Sequence, residues 1–178
     1  MRKLAEKTVA QRIASKEAKI GVVGLGYVGL PLCLNFSERA GLTTLGFDID
    51  PSKIDAITAG RSYIKHIESA PIAEMVKQKR LGATTDFTRA GEMDCIVICV
   101  PTPLTAAREP DMTYIERTGQ ALAPHVRPGQ LIVLESTTYP GTTRERLRPI
   151  LEESGLAAGR DFNVAFSRAY ADRRRTNL

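Results

Sequence analysis

Long apolar runs are missing from the sequence. No stretch of its 178 residues reaches the roughly 18 apolar residues that suggest a membrane span. The N-terminal residues MRKLAEKTVAQRIASKEA carry charge throughout and contain no apolar core of a signal peptide. Apolar residues still make up 43% of the chain and charged residues 25%, as in ordinary globular domains. We therefore expect a cytoplasmic protein without a membrane partner, of a length that fits one full domain.

Cysteine and histidine are scarce. Cys33, Cys95 and Cys99 are an odd number of thiols in apolar stretches, and their spacing is not that of a metal site. His66 and His125 are the only histidines, and neither is near a nucleophile in sequence. The sequence therefore predicts buried, reduced cysteines, surface histidines and no metal site.

Positive charge is confined to the two ends of the chain. The formal net charge is +5, but residues 1–19 carry +4 and residues 168–178 carry +3, which leaves −2 for residues 20–167. Charge at chain ends is usually solvated and unspecific. A nucleic-acid partner is therefore not expected.

Strand-like and helix-like segments alternate along the chain. The strand-like runs are KIGVVGLG, LTTLGFDID, DCIVICV, QLIVLES and FNVAFS. Residues 94–100 are apolar on both faces, as in a central strand of a parallel sheet. The helix-like stretches cover about residues 27–39, 51–60, 70–82, 110–126 and 141–154, with Gly41, Gly60 and Gly82 as stop signals.

This alternation predicts an α/β fold with a doubly wound, mostly parallel sheet of about six strands, which is a Rossmann-like arrangement. A single domain would span residues 19–167. An amphipathic helix within residues 1–18 would precede it, and residues 168–178 would form a basic tail.

The motif GLGYVG follows the first strand and opens a helix, as a dinucleotide-binding turn requires. Gly24 would allow the tight turn, Gly26 would let a pyrophosphate approach the backbone, and Gly29 would let the helix pack against the strand. Backbone N–H groups near Tyr27 and Val28 would then point at the phosphates. The alternative is a set of glycines that only shapes a turn.

An acidic residue stands at the end of the second strand. Asp48 lies 19 residues past Gly29, where a carboxylate can accept hydrogen bonds from the adenosine ribose. It would also repel a 2′-phosphate, which favours NAD over NADP as the cofactor. Asp50 competes for this role, but its place directly before Pro51 suits the N-cap of the next helix better.

Two further loops follow strands that should end on the same edge of the sheet. CVPTPL follows the central strand, and ESTTYPGTT follows the next one. Doubly wound sheets bind ligands outside the carboxyl ends of their strands. Thr102, Ser136 and Thr137 can therefore offer hydroxyl groups to the nicotinamide ribose or to a substrate, unless they only cap turns.

These segments together resemble the N-terminal NAD-binding half of the UDP-glucose/GDP-mannose dehydrogenase family. The matching pieces, in order, are GVVGLGYVGLPL, GFDIDPSKID, ATTDF, CVPTPL, EPDMTYI and LESTTYPGTT. YIKHIESAPIAE, REPDM and ESTTYPGTT are most similar to the UDP-N-acetylglucosamine 6-dehydrogenase branch. The resemblance implies NAD as the cofactor and a UDP-sugar as the substrate. Its C6 alcohol would be oxidised to a carboxylate by two hydride transfers, for polysaccharide biosynthesis.

The resemblance also implies roles for individual positions. Tyr27, Val28, Asp48, Thr102 and Thr137 match positions that contact NAD in the family. Thr137 would in addition lie near the catalytic water, which gives it a supporting catalytic role.

The resemblance stops after Ser167. Family members continue with Pro-Glu-Arg, whose glutamate takes part in the proton chemistry, whereas Arg168 and Ala169 follow here. The family's catalytic lysine, its cysteine nucleophile and its UDP-binding domain would lie further on and have no counterpart in this sequence. The first hypothesis is thus a truncated dehydrogenase, by a shifted reading frame or an early stop, that is inactive alone. A natural basic tail is the alternative.

Two other functions remain open at this point. One is a non-catalytic NAD-binding module that senses redox state or pairs with another chain. The other is a different Rossmann enzyme, such as a short hydroxyacid dehydrogenase, for which the sequence supplies no catalytic lysine or histidine constellation. Assembly into a homo-oligomer is left open as well.

Overall fold

The computed structural model describes residues 7–103, 110–136 and 138–167. Its strands are β1 (Lys19–Val23), β2 (Thr43–Phe47), β3 (Leu81–Thr84), β4 (Cys95–Ile98), β5 (Leu131–Leu134) and β6 (Asn163–Phe166). Its α-helices are α1 (Val9–Ala14), α2 (Gly29–Leu34), α3 (Pro51–Thr58), α4 (Ser69–Lys77), α5 (Thr113–Leu122) and α6 (Arg148–Glu152). π-helical turns extend α2 (Asn35–Arg39) and precede α6 (Thr143–Leu147), and 3-10 turns cover Phe87–Glu92 and Ala123–His125.

The strands form one parallel sheet in the order β3-β2-β1-β4-β5-β6. Val23 at the end of β1 is in register with Phe47 of β2 and with Ile98 of β4, so these strands end on the same edge. The strand order reverses between β1 and β4, because the chain first builds outward through β2 and β3 and then returns beside β1. The prediction of a doubly wound parallel sheet is confirmed.

Helices cover both faces of the sheet. Alternate side chains of β1 point to opposite sides, so Ile20 and Val22 belong to one buried cluster and Val23 to another. The first cluster packs against α2, α3 and α4 and contains Leu30, Cys33, Ile57 and Ile72. The second packs against α5 and α6 and contains Ile115, Leu122, Leu147 and Leu151. The run of apolar residues in the central strands reflects this two-sided burial.

The N-terminal helix is tied to the amino edge of the sheet by a buried carboxylate. Thr8 caps α1 in a capping box with Gln11. Arg12 of α1 donates to Asp94 Oδ1 at 3.0 Å, and Arg127 donates to the same oxygen at 2.8 Å. The N–H of Lys19 donates to Asp94 Oδ2 at 2.9 Å. One side chain thus joins α1, the start of β1 and the turn before β5.

The sequence prediction of a helix that reaches Gly82 is wrong. Helix α4 ends at Lys77, and Leu81–Thr84 is the edge strand β3, paired with β2. The chain turns at Lys79, which takes the left-handed conformation with φ 58° that glycine normally supplies at such a helix end. The N–H of Arg80 then returns to the carbonyl of Met75 at 2.9 Å.

The prediction of buried, reduced cysteines holds for Cys33 and Cys95, whereas Cys99 is only partly buried. Cys33 and Cys95 are buried, Cys99 is half-buried, and all three are free thiols. His66 is exposed as expected, whereas His125 is half-buried. Among the residues that the structure describes, no three His, Cys, Asp or Glu side chains are grouped as metal ligands would be. None of the described helices has the length and apolar character that crossing a bilayer demands.

Candidate functional site

A cleft of about 890 Å³ opens at the carboxyl edge of the sheet, beside the reversal of strand order between β1 and β4. Residues that follow β1, β2, β4 and β5 form its floor, and α5 contributes Tyr114, Arg117 and Thr118 to one wall. Among the predicted site residues, those that line it are Gly24, Gly26, Tyr27, Val28, Asp48, Thr102 and Ser136. Open α/β sheets bind their ligands at this place.

The three glycines of the motif occupy distinct positions. Gly24 has φ 89°, and a Cβ there would lie 2.9 Å from the carbonyl oxygen of Cys99, so the residues that follow β1 and β4 can lie this close only with glycine at position 24. At Gly29, the first residue of α2, a Cβ would collide with the carbonyl oxygen of Gly24. A Cβ at Gly26 would meet no atom within 4 Å. Gly24 and Gly29 thus leave no room for a Cβ, whereas Gly26 faces open space.

Backbone donors collect at the start of α2. In the described part of the chain, the N–H groups of Gly26, Tyr27 and Val28 have no hydrogen-bond acceptor. Unpaired N–H groups and the helix dipole together favour an anion at this position. The turn can therefore hold a phosphate group without any basic side chain.

Asp48 directly follows β2 and is 6% exposed. Its Oδ2 accepts from the N–H of Leu25 at 2.8 Å and from Nζ of Lys53 at 2.8 Å. Its Oδ1 accepts from the N–H of Asp50 at 3.0 Å. The carboxylate thus fixes the glycine turn from the side of β2 and carries an ion pair with α3.

Lys53 was not found by sequence reasoning, although it lines the cleft. It sits in the first turn of α3, whose N-cap is Asp50, as expected from the Asp50-Pro51 pair. The side chain of Asp50 accepts from Ser52 Oγ and from the N–H of Ser52, and these bonds lower the pKa of its carboxyl group. The sequence signal that could have identified Lys53 is the N-cap at Asp50. This cap starts α3 just after Asp48, so Lys53 falls in the first turn of the helix and close to Asp48.

Two aromatic residues from the α3–α4 connection touch the glycine turn and were also missed. The hydroxyl of Tyr63 donates to the carbonyl oxygen of Leu25 at 2.6 Å. The ring of His66 stacks on Tyr27, with centroids 5.7 Å apart and planes at 20°. Tyr27 itself is 74% exposed. No spacing rule connects residues 63–66 with residues 25–27, so only the folded chain reveals these contacts.

The loops after β4 and β5 form the other side of the cleft. Ser136 is buried, and its hydroxyl donates to the carbonyl of Val100 at 2.9 Å, so it joins the two loops. Thr102 also lines the cleft. Thr137, the predicted supporting catalytic residue, lies outside the described residues. In the described ranges, Oγ1 of the neighbouring Thr138 is the only buried side-chain nitrogen or oxygen atom without a hydrogen-bond partner.

Cys99 is the thiol that lines the cleft. Burial, together with the nearby charge of Glu135, raises its pKa to about 12. At neutral pH the side chain is therefore a neutral thiol and a poor nucleophile. Its position at the end of β4 makes it part of the floor of the cleft.

Comparison with known proteins agrees with this geometry. The family model described as "UDP-glucose/GDP-mannose dehydrogenase family, NAD binding domain" matches residues 18–171. A UDP-N-acetyl-D-glucosamine 6-dehydrogenase of Pseudomonas aeruginosa is 33% identical over 153 residues, which are 85% of this chain and 35% of that protein. A UDP-N-acetyl-D-mannosamine dehydrogenase of Escherichia coli K12 is 39% identical over 162 residues, 84% of this chain and 36% of that protein.

Solved structures give the same result. A GDP-mannose dehydrogenase of Pseudomonas aeruginosa superposes with a TM-score of 0.81 at 33% identity, over 85% of this chain and 36% of that one. A UDP-D-ManNAc dehydrogenase of Pyrococcus horikoshii superposes with a TM-score of 0.79 at 34% identity, over 85% of this chain and 36% of that one. The chain spans about a third of the length of the curated relatives it matches. With its fold, cleft and matched residues, it belongs to the UDP-glucose/GDP-mannose dehydrogenase family and corresponds to that family's NAD-binding domain.

Proposed function

We propose that this chain is the NAD-binding half of a UDP-N-acetylhexosamine 6-dehydrogenase, which oxidises the C6 alcohol of the sugar to a carboxylate for polysaccharide biosynthesis. The observation that carries the proposal is the cleft at the reversal of strand order. It combines the unpaired N–H groups of the glycine turn with the Asp48 carboxylate at the end of β2. That pairing is what a dinucleotide with a pyrophosphate and an adenosine ribose requires.

Each part of the cleft has a task in this proposal. The N–H groups of Gly26, Tyr27 and Val28 hold the pyrophosphate, and Asp48 with Lys53 holds the adenosine ribose. Thr102 and Ser136 line the side of the cleft where the nicotinamide ribose and the substrate would meet, and Thr137, outside the described residues, is proposed to act with them. When bound, NAD is the hydride acceptor. The floor of the cleft keeps water away from the side of the cofactor that faces the sheet.

The substrate class is part of the proposal. The relatives with matching sequence include dehydrogenases of UDP-N-acetylglucosamine and UDP-N-acetylmannosamine, at 33% and 39% identity. The family resemblance of YIKHIESAPIAE and ESTTYPGTT favours the UDP-N-acetylglucosamine branch. Two successive oxidations from alcohol to carboxylate need two NAD molecules and one water.

This chain alone is proposed to be catalytically incompetent. Oxidation of the aldehyde stage needs an activated water or thiol, and the first hydride transfer needs a base for the alcohol proton. Cys99 is a protonated thiol in the floor of the cleft, so it does not supply the nucleophile. Where the family resemblance implies a catalytic glutamate after the last strand, the sequence has Arg168 and Ala169.

Calorimetric titration of the purified chain with NAD tests the cofactor assignment. We expect one site that is saturable by NAD and by ADP-ribose, with weaker binding of NADP. Heat of dilution alone for both NAD and ADP-ribose, from protein that melts cooperatively, would contradict the proposal.

A further inference from the structure

Leu25, in the middle of the glycine turn, is held on every side. Its N–H donates to Asp48 Oδ2 at 2.8 Å, and its carbonyl oxygen accepts from the hydroxyl of Tyr63 at 2.6 Å. Its side chain is fully buried and packs so close to Gly46 that a Cβ there would lie 2.7 Å from it. The turn is therefore fixed by side chains from outside the motif, although glycine gives its own backbone unusual freedom.

Tyr63 is itself well placed to act as a fixed donor. Its neighbour Ile64 is buried, and Ser62 Oγ accepts from the N–H of Ile64 at 3.1 Å. The N–H of Ser62 donates to Ser69 Oγ at the start of α4 at 2.9 Å. Burial raises the pKa of the Tyr63 hydroxyl, and the charge of Asp48 raises it further, so the group keeps its proton.

A hydrogen bond to the carbonyl of Leu25 also orients the N–H of Gly26. Both groups belong to one planar peptide unit, and in a trans unit they point in opposite directions. The structure contains no cis peptide bond among its described residues. Holding the carbonyl toward Tyr63 therefore holds the Gly26 N–H away from Tyr63. A Cβ added to Gly26 would have no atom within 4 Å, and its N–H has no acceptor in the described chain.

We infer that Tyr63 is a positioning residue for the cofactor: it aims the Gly26 N–H at the pyrophosphate of the bound dinucleotide. The inference rests on the proposed binding of NAD in this cleft. Asp48 does the same for the preceding peptide unit through the Leu25 N–H. Two peptide planes of the turn are thus set before the ligand arrives, which lowers the ordering cost of binding.

The variant Tyr63→Phe removes one oxygen and keeps the ring. We expect NAD and ADP-ribose to bind about tenfold more weakly, the order expected for one lost hydrogen bond next to a charged ligand. Adenosine has no phosphate, so its weak binding, measured by ligand-observed NMR, should stay the same. In nitrogen-labelled protein, the amide resonance of Gly26 should shift on addition of ADP-ribose to the parent and shift less in the variant.

Tyr139→Phe is the matched control. Tyr139 is 37% exposed against 36% for Tyr63, and it does not line the cleft. We expect it to bind NAD as the parent does. Unchanged NAD binding by Tyr63→Phe, or an equal loss for adenosine and NAD, would overturn the positioning role while leaving NAD binding intact. If the parent itself does not bind ADP-ribose, the proposed function is wrong, and this inference, which depends on it, is wrong as well.

Discussion

At the scale of single residues, Asp48 has less freedom to bind a ribose than the sequence motif suggests. A carboxylate offers about four acceptor sites. Three are used by the N–H groups of Leu25 and Asp50 and by Nζ of Lys53. A ribose therefore meets the ion pair of Asp48 with Lys53 rather than a bare carboxylate. The positive charge of Lys53 also offsets part of the repulsion that Asp48 exerts on a 2′-phosphate.

Replacing Asp48 with Asn should weaken NAD binding by about 1–3 kcal/mol, because a charged hydrogen bond to the ribose is lost. The preference for NAD over NADP should narrow as well, since the repulsive charge is gone while Lys53 stays. Calorimetry with both cofactors measures the two effects. Asp86→Asn is the control, because Asp86 caps the 3-10 turn after β3 and does not line the cleft. A variant Asp48→Asn that binds NAD like the parent would show that the assignment is wrong.

Alanine substitutions at Gly24 and Gly26 should affect different properties: the first the stability of the fold, the second the binding of NAD. Gly24→Ala places a Cβ 2.9 Å from the Cys99 carbonyl at a φ of 89°, so we expect a loss of about 1–3 kcal/mol in unfolding free energy. Gly26→Ala places its Cβ in open space, so its melting temperature should stay near that of the parent. If the pyrophosphate occupies that space, its NAD affinity should fall at least about tenfold. Thermal melts and NAD titration of both variants test this contrast, and tight NAD binding by Gly26→Ala would place the pyrophosphate elsewhere.

The sequence located the residues of the cleft that belong to local motifs and missed those that do not. Gly24 and Gly29 could be assigned because turn and helix start follow one another along the chain. Tyr63 could not, because its partner Leu25 lies 38 residues away and the contact depends on how the α3–α4 connection folds back. The sequence predicts Ser136 as a hydroxyl donor for a ligand, whereas its hydroxyl donates to the carbonyl of Val100 in this structure.

At the scale of elements, the apolar pattern of the sequence identifies the strands that are buried on both faces, but it does not identify the strand at the edge of the sheet. β4 and β5 were recognisable as continuous apolar runs. β3 contains Gly82 and is only partly covered, so LGAT carries no strand pattern. The sequence predicts too long a helix before β3, because the helix is ended by Lys79, a residue type that rarely takes a positive φ.

The attachment of α1 to the sheet should depend on pH through Asp94. Burial is the largest single influence on the pKa of this carboxyl group and raises it, but hydrogen bonds from Lys19 N–H and Arg127 and the charge of Arg12 outweigh burial, so the pKa is lowered. A lowered folded-state pKa means that the stabilisation is complete above the unfolded value, about 3.9, and is lost as the pH falls through the folded value.

Asp94→Asn should therefore lower the unfolding free energy at neutral pH by about 2–3 kcal/mol, since bonds to a charged acceptor are replaced by weaker ones. The difference from the parent should shrink as the pH falls below about 4. Urea denaturation across this pH range measures it. Glu92→Gln provides a control, because Glu92 bonds to Arg89 on the surface. A difference that is the same at all pH values would mean that Asp94 acts by packing alone.

At the scale of the whole molecule, we expect the chain to bind the cofactor without catalysing the reaction. A ligand that binds only the folded chain stabilises it, by about 2.7 kcal/mol when NAD is present at 100 times its dissociation constant. For a domain of this size we expect a rise of roughly 5–10 °C in melting temperature. The cleft for the cofactor is lined by residues that follow β1, β2, β4 and β5 and by α5, and these lining residues lie within the described ranges.

Turnover should need more than this cradle. In the relatives, the matched region is about 35% of the protein, so most of each relative lies outside the part that this chain resembles. Binding energy from a nucleotide group remote from the reacting C6 orients the sugar in the chemical step, and its loss lowers the rate as well as the affinity.

Together with the protonated Cys99 thiol, this leads us to expect weak NAD binding and no NADH formation from the purified chain. The test is absorbance at the NADH band over hours, with UDP-N-acetylglucosamine, UDP-glucose and the N-acetylgalactosamine and N-acetylmannosamine relatives. Steady turnover that disappears in Gly26→Ala would show that this polypeptide is a complete catalyst.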